Sequence, residues 1–266
     1  MNNKKEPVEE PDSSLSASDF PDRSFFNKKI GLGLKAAKKM YSSVKPENMK
    51  LDKETFQKAL DFAYEKALNG IPGFDSASQM AENYLSKNEN VNNAANTLIT
   101  WQIAKTGTSG FLSGIGGIIA RPVTIPANIA SVLFVQLRMI AAIAYMGGYA
   151  LDDDRVKSLV YLCLAGNGAI DIGKDVGILI GTKMTTQKIK GIVGKNMTAI
   201  KQKVGFRLLT KFGQTGALNL GKAVPLVGGL IGGTSDVVST KAIGEITKKT
   251  FLTETITIPE EELQIK

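Results

Sequence analysis

Residues 126–146 read PANIASVLFVQLRMIAAIAYM, and residues 165–181 read AGNGAIDIGKDVGILIG. How these two stretches are read decides the fold. The first opens on Pro126, well placed in the first turn of a helix, with Thr124 as its cap. The spacing predicts a helix to Tyr145, ended by Gly147-Gly148. Arg138 is its only charge. A helix this apolar all round must be covered on every face, by protein or by lipid. The second stretch predicts the end of a helix that starts at Asp152-Asp153-Asp154. It would run through Val156, Leu159, Val160, Leu162 and Cys163 to Gly181. Ala165, Ala169, Gly173, Gly177 and Gly181 step by four and so share one face of that helix. The face is nearly bare of side chain, and the 126–146 helix is expected to pack closely on it. In a membrane such a ladder is a helix-pairing device, and in a water-soluble protein it is a tight crossing. Asp171, Lys174 and Asp175 argue against this helix facing lipid.

Three ordinary amphipathic helices are predicted upstream. The first runs from Asp52 through Phe56, Ala59, Leu60, Ala63 and Ala67 to a stop at Gly70 and Pro72. The others cover about Asp75–Lys87 and Val91–Lys105. Residues 1–27 read as a disordered tail, rich in Pro, Ser and acidic residues. The start, MNNKKEPVEEPDSS, has no apolar core of a secretory signal. Downstream, Ile189, Val193, Met197, Ile200 and Val204 form a stripe at helical spacing, weakened by Gly191, Gly194 and Gly205. After a Gly-rich turn, AVPLVGGLIGG, a last helix is predicted from Ser235 to Phe251. Residues 253–266 read as a loose acidic end, with TETITI the one strand-like run. The expected fold is all-α, a single domain over 28–252 of about seven helices with glycine-rich tight packing.

Composition excludes much chemistry. The chain has 266 residues, no histidine and one cysteine, Cys163. That leaves no Ser-His-Asp triad, no Cys-His dyad, no imidazole metal site and no intrachain disulfide. A lone cysteine suits a reducing compartment, so the expectation is cytoplasmic. The net charge of +8 is confined to one place. Residues 176–235 hold nine basic and no acidic residues, leaving 24 basic against 25 acidic elsewhere. Blocks of this kind meet anionic surfaces. The candidate contact set is Lys183, Lys188, Lys190, Lys195, Lys201, Lys203, Arg207 and Lys211. Nucleic acid is the weaker match, because Phe206 and Phe212 are the only aromatics there and no recognition motif appears. Residues 106–151, with two charges in 46 residues, supply apolar contact. The charge-free run 122–137 has 16 residues, short of the roughly 20 a span needs. A buried or shallowly inserted helical pair is expected there.

Other motifs carry less. GALNLGKA at 216–223 approaches the phosphate-loop pattern, but Ala223 stands where Ser or Thr is needed and no strand precedes it. GLGLKA at 31–36 likewise follows no strand. Asp152-Asp153-Asp154 lacks calcium-loop spacing and reads as a helix start. Gln136, Arg138, Asp171, Lys174, Asp175, Asp236 and Thr240 form a candidate polar cluster among apolar helices. They would either pair among themselves or line a pocket.

Three stretches together resemble the EcsC family of bacterial proteins. They are WQIAKTGTSGFLSGIGGIIARPVTIPANIASVLFVQLRMIAAIAYMGGYALDDDRVKSLVYLCLAG, then KVGFRLLTKFG, then NLGKAVPLVGGLIGGTSDVVSTKAIGEITKKTF, covering about Leu98 to Phe251. The positions closest to the family pattern are Pro122, Gln136, Arg138, Asp153, Gly228, Gly229, Gly232, Asp236 and Thr240. The family takes its name from a protein encoded beside an ABC transporter. The resemblance implies a bacterial helical protein, cytoplasmic or peripheral to the inner face of the membrane, and carries over no catalytic residue. The functional expectation is a non-enzymatic accessory protein with an anionic membrane surface and a membrane protein as partners. No cofactor and no metal are expected. The alternative is a small-ligand-binding or hydrolytic protein using the polar cluster as a pocket.

Overall fold

The structure, a computed structural model, describes residues 53–106, 127–219 and 228–252, with side chains over 53–104, 130–210 and 239–252. The expectations for both tails, GLGLKA, residues 107–126 and TETITI lie outside the described residues. Among the described residues there are nine α-helices, one short 3-10 turn and no strand, so the chain is all-α.

Helices α1 (Lys53–Asn69), α2 (Ala77–Leu85) and α3 (Val91–Thr106) stand where the apolar spacing put them. The α1 stripe of Phe56, Ala59, Leu60, Ala63, Tyr64 and Ala67 is buried. Gly70 ends α1 with φ +75°, a conformation open to glycine. Ser76 then caps α2: Gln79 N donates to Ser76 Oγ at 3.2 Å, and Ser76 N donates to Gln79 Oε1 at 3.0 Å. This reciprocal pair satisfies two amides that a helix start leaves open.

Helix α4 (Ala127–Met146) is the centre. Residues 130–144 are all buried, enclosed by α1, α2, α3, α9 (Gly228–Phe251) and α5 (Asp154–Leu164). Protein, not lipid, therefore covers the apolar surface of α4. Its end is a reverse turn in which Tyr149 N donates to Ala144 O at 3.2 Å and Gly148 N to Tyr145 O at 2.9 Å. Gly148 takes φ +82° there. Among the described residues no helix is long and apolar enough to cross a membrane.

The expected continuous helix from Asp152 to Gly181 is corrected. Asp153 caps α5 as the sequence suggested, but α5 stops at Leu164. A 3-10 turn (Gly166–Gly168) and α6 (Ala169–Asp175) follow, and Gly177 closes α6 with φ +74°. There Ile178 N donates to Gly173 O at 2.8 Å and Gly177 N to Lys174 O at 3.1 Å. Gly166 and Gly181 also have positive φ. The small residues are therefore turn formers and close-approach points, not one helix face. Segment 165–175 packs on α5, α8 (Gly194–Asn219) and α9, and the extensive packing of α4 on it expected from the ladder is not formed. The short α7 (Thr186–Lys190) precedes α8.

Two further differences concern glycine. Gly205 does not break α8; it is buried, and a Cβ there would sit 3.5 Å from Gln57 Cγ. Helix α9 starts at Gly228 rather than Ser235. Propensity alone argues against four glycines in that first part. Their spacing, Gly228 with Gly232 and Gly229 with Gly233, puts them in pairs on shared faces of the helix. The residues before GALNLGKA, which a phosphate loop needs as a strand, belong to α8; residues 220–223 lie outside the described residues.

Candidate functional site

The basic segment reaches the surface through a short, well-anchored run. Thr185 Oγ1 accepts from Lys188 N at 3.4 Å and starts α7. Ile189 is buried, Gly191 ends the turn, and Ile192 is buried again. Val193 N donates to Asn196 Oδ1 at 3.2 Å, and Asn196 Nδ2 donates to Val176 O at 2.6 Å. That last bond ties the start of α8 to the turn after α6. Between these anchors Lys188, Lys190 and Lys195 point outward. Apolar side chains of the same acid-free segment are exposed too: Val193 at 57% and Leu179, just past the tied turn, at 62%. Phe206, further along α8, is 65% exposed. The stripe expected through Val193 holds at Ile189, Ile200 and Val204 but fails at Val193. The chain is not helical between Gly191 and Val193, so the helical register is lost there.

The eight expected contact residues separate into kinds. Lys188, Lys190 and Lys195 are exposed and make no ion pair with the described residues. Lys183 is exposed beside them. Lys201 pairs with Asp61, and Lys203 Nζ sits 2.8 Å from Asp175 Oδ2. Arg207 lies over Gly168, where a Cβ would collide with its guanidinium. The Lys211 side chain lies outside the described residues.

The polar cluster does not meet in one place. Gln136 Nε2 donates to Thr240 Oγ1 at 3.4 Å, a buried link between α4 and α9. Arg138 is buried elsewhere, its Nη1 donating to the Asp75 carbonyl at 3.1 Å. Its guanidinium lies 5.3 Å from the Phe74 ring centroid and 5.2 Å from that of Phe134. Burial pulls its pKa down to about 10, countered by the Asp75 carboxylate and then Tyr84, so it stays charged at neutral pH. Asp171, Lys174 and Asp175 stand on the solvent side of α6. The Asp236 side chain lies outside the described residues. Cys163 is fully buried, and burial pushes its thiol up to about 12, which suits packing rather than reactivity. Among the described residues no group of three or more acidic or cysteine side chains is placed to hold a metal.

Sequence reading missed Asp61. It accepts from Tyr161 Oη at 2.8 Å, pairs with Lys201, and lies 3.2 Å from Lys157 Nζ, joining α1, α5 and α8. Burial raises its carboxyl pKa, but Lys201, Tyr161 and Lys157 together outweigh that and hold it below the ordinary value of 3.8. A lowered folded pKa means the stabilisation is complete above 3.8 and is lost as pH falls through the folded value. Asp61→Asn is expected to cost about 1–2 kcal/mol at pH 7, discounted because the carboxylate is partly solvated. The variant should lose less stability than the parent between pH 5 and pH 3, checked by urea unfolding at each pH.

Comparison with known proteins returns no match to a family model, to a curated protein or to a solved structure.

Proposed function

We propose that the chain is a non-enzymatic, membrane-surface-associated accessory protein of the EcsC kind, working beside a membrane protein such as an ABC transporter. The observation that supports this best is that Leu179, Val193, Lys188, Lys190 and Lys195 are all exposed in one segment with no acidic residue. Apolar side chains of this kind enter the head-group layer while the lysines meet its charge. The burial of α4 narrows the contact to this face, because α4 is already covered. The face attaches the protein as a peripheral body on the inner leaflet.

Each lysine near an anionic leaflet contributes about 1 kcal/mol. Lys188→Ala with Lys195→Ala is therefore expected to lower the vesicle partition coefficient about thirty-fold at 0.1 M salt, read by co-sedimentation. Binding of the parent should fall steeply with added salt. Equal recovery with neutral and anionic vesicles at every salt concentration would sink this reading.

A further inference from the structure

Helix α9 ends against a groove that leads into the basic segment. A cleft of about 480 Å³ opens between the turn after α4 and the run into α7. Three residues that line it touch the last turn of α9. Met184 N donates to Thr250 O at 2.9 Å, and the Tyr149 ring packs edge-on to Phe251 at 5.0 Å. Gly147 lies so close to the Phe251 carbonyl that a Cβ would overlap its oxygen. Tyr149 Oη also donates to Met184 O at 2.6 Å, which fixes the two walls to each other. Ile189 and Lys190 line the cleft further along.

The chain therefore leaves α9 at the edge of this cleft. The next ten residues, 253–262, read TETITIPEEE, with Glu254, Glu260, Glu261 and Glu262 and no basic residue. The wall beyond Met184 belongs to segment 176–235, which has no acidic residue. Lys188 and Lys190 are exposed there and make no ion pair with the described residues. Asp153, the one carboxylate among the lining residues, is engaged by its own helix start. Arg155 Nε donates to its Oδ1 at 2.8 Å and Arg155 Nη2 to its Oδ2 at 2.5 Å. Lys190 stands six positions past Met184, at most about 21 Å away, and ten extended residues span about 33 Å. The glutamates are thus within reach of both lysines. The apolar chemistry matches as well: buried Val156, Met184 and Ile189 line the cleft, and Ile256 and Ile258 alternate in TETITI.

We propose that residues 253–262 dock on this cleft in the same chain and pair their glutamates with Lys188 and Lys190, an autoinhibitory contact that an anionic surface displaces. The role of the surface rests on the membrane reading above; the contact itself does not. Exposed ammonium–carboxylate pairs are individually weak and are screened by salt. The tether compensates, because a short linker holds the glutamates at an effective concentration of about millimolar. A leaflet that presents many negative charges at once outcompetes such a contact.

The test uses the full chain. Carbodiimide joins carboxylates directly to neighbouring amines, and an equal mixture of isotope-labelled and unlabelled chain separates contacts within a chain from those between chains. Without vesicles, mass spectrometry should find Glu254 or Glu260–Glu262 joined to Lys188 or Lys190 within one chain. These products should fade at about 1 M salt, where the Debye length is about 3 Å. Co-sedimentation with phosphatidylcholine–phosphatidylglycerol vesicles then compares two variants of equal net charge. One carries Glu254→Gln, Glu260→Gln, Glu261→Gln and Glu262→Gln; the other carries Glu6→Gln, Glu9→Gln, Glu10→Gln and Asp12→Asn. The first should partition about tenfold more strongly than the second, because two lysines are released. Products with other lysines alone, or only between chains, overturn the contact whatever the vesicles do. The expected products with equal partition of the two variants overturn the autoinhibition. The expected products with no vesicle binding by any of the chains uphold the contact and overturn the membrane reading.

Discussion

Phe134→Ala is expected to lower the unfolding free energy by about 4 kcal/mol. Phe134 sits in the middle of α4 and is fully buried. Its ring meets Phe74 edge-on at 6.2 Å and carries the Arg138 guanidinium on its other contact. Truncation removes the transfer free energy of the ring and leaves a cavity between α4 and the loop at Phe74. It also takes one of two aromatic faces from a buried cation that has no carboxylate hydrogen bond among the described residues. Arg138 Nε is already buried without a hydrogen-bond partner, so the cation has little left to compensate the loss. Phe134→Leu should recover about half of the deficit by keeping volume. Equilibrium denaturation followed by circular dichroism measures both. A loss below about 1 kcal/mol for the alanine variant would mean that the contact between α4 and the Phe74 loop is not tightly packed.

Gly147→Ala is expected to cost about 3 kcal/mol, large for the addition of one methyl group. A Cβ at Gly147 would overlap the carbonyl oxygen of Phe251 and lie 2.9 Å from the Tyr149 ring. A backbone oxygen at the end of α9 cannot step aside as a flexible side chain would. The turn after α4 and the end of α9 must then separate, and the Met184–Thr250 bond and the Tyr149–Phe251 contact are disturbed with them. Gly148→Ala supplies the comparison. A Cβ there meets nothing within 4 Å, although φ +82° is unfavourable for alanine. It should cost only about 1 kcal/mol. Thermal unfolding of the two variants side by side checks the order, and a smaller loss at Gly147 would refute it.

Much of the fold could be read because helix ends follow local rules. Gly70, Asp153 and Gly147-Gly148 punctuate the chain through capping chemistry that depends on a few neighbouring residues. The apolar stripe of α1 and the enclosure demanded by α4 followed from spacing and the absence of charge. The small-residue ladder misled for a physical reason. A period of four in Ala and Gly marks a helix face only if the backbone stays helical. Glycine equally favours the left-handed turn that ends a helix, and Gly166 and Gly177 take that option, while Gly181 takes a positive φ outside any helix. Pattern alone does not separate the two.

The candidate site was legible as a block of charge and not as an arrangement. That Lys201 meets Asp61, 140 positions away, depends on how α1, α5 and α8 pack. The exposure of Val193 followed from a three-residue interruption that the surrounding apolar spacing conceals. Arg138 was legible as an oddity in an apolar helix, but its aromatic enclosure needed the loop at Phe74 to be placed.

The enclosure of α4 has a consequence for how the protein is made. Two of the surfaces that cover it, α5 and α9, lie after it in the chain. Residues 147–227 must leave the ribosome before α9 begins to emerge. Throughout that interval a nearly uncharged helix has part of its surface bare. Nascent chains in this condition are held by chaperones or associate with one another. The order of synthesis thus leaves the most apolar of the described helices waiting for α9, and its enclosure is complete only when that helix arrives.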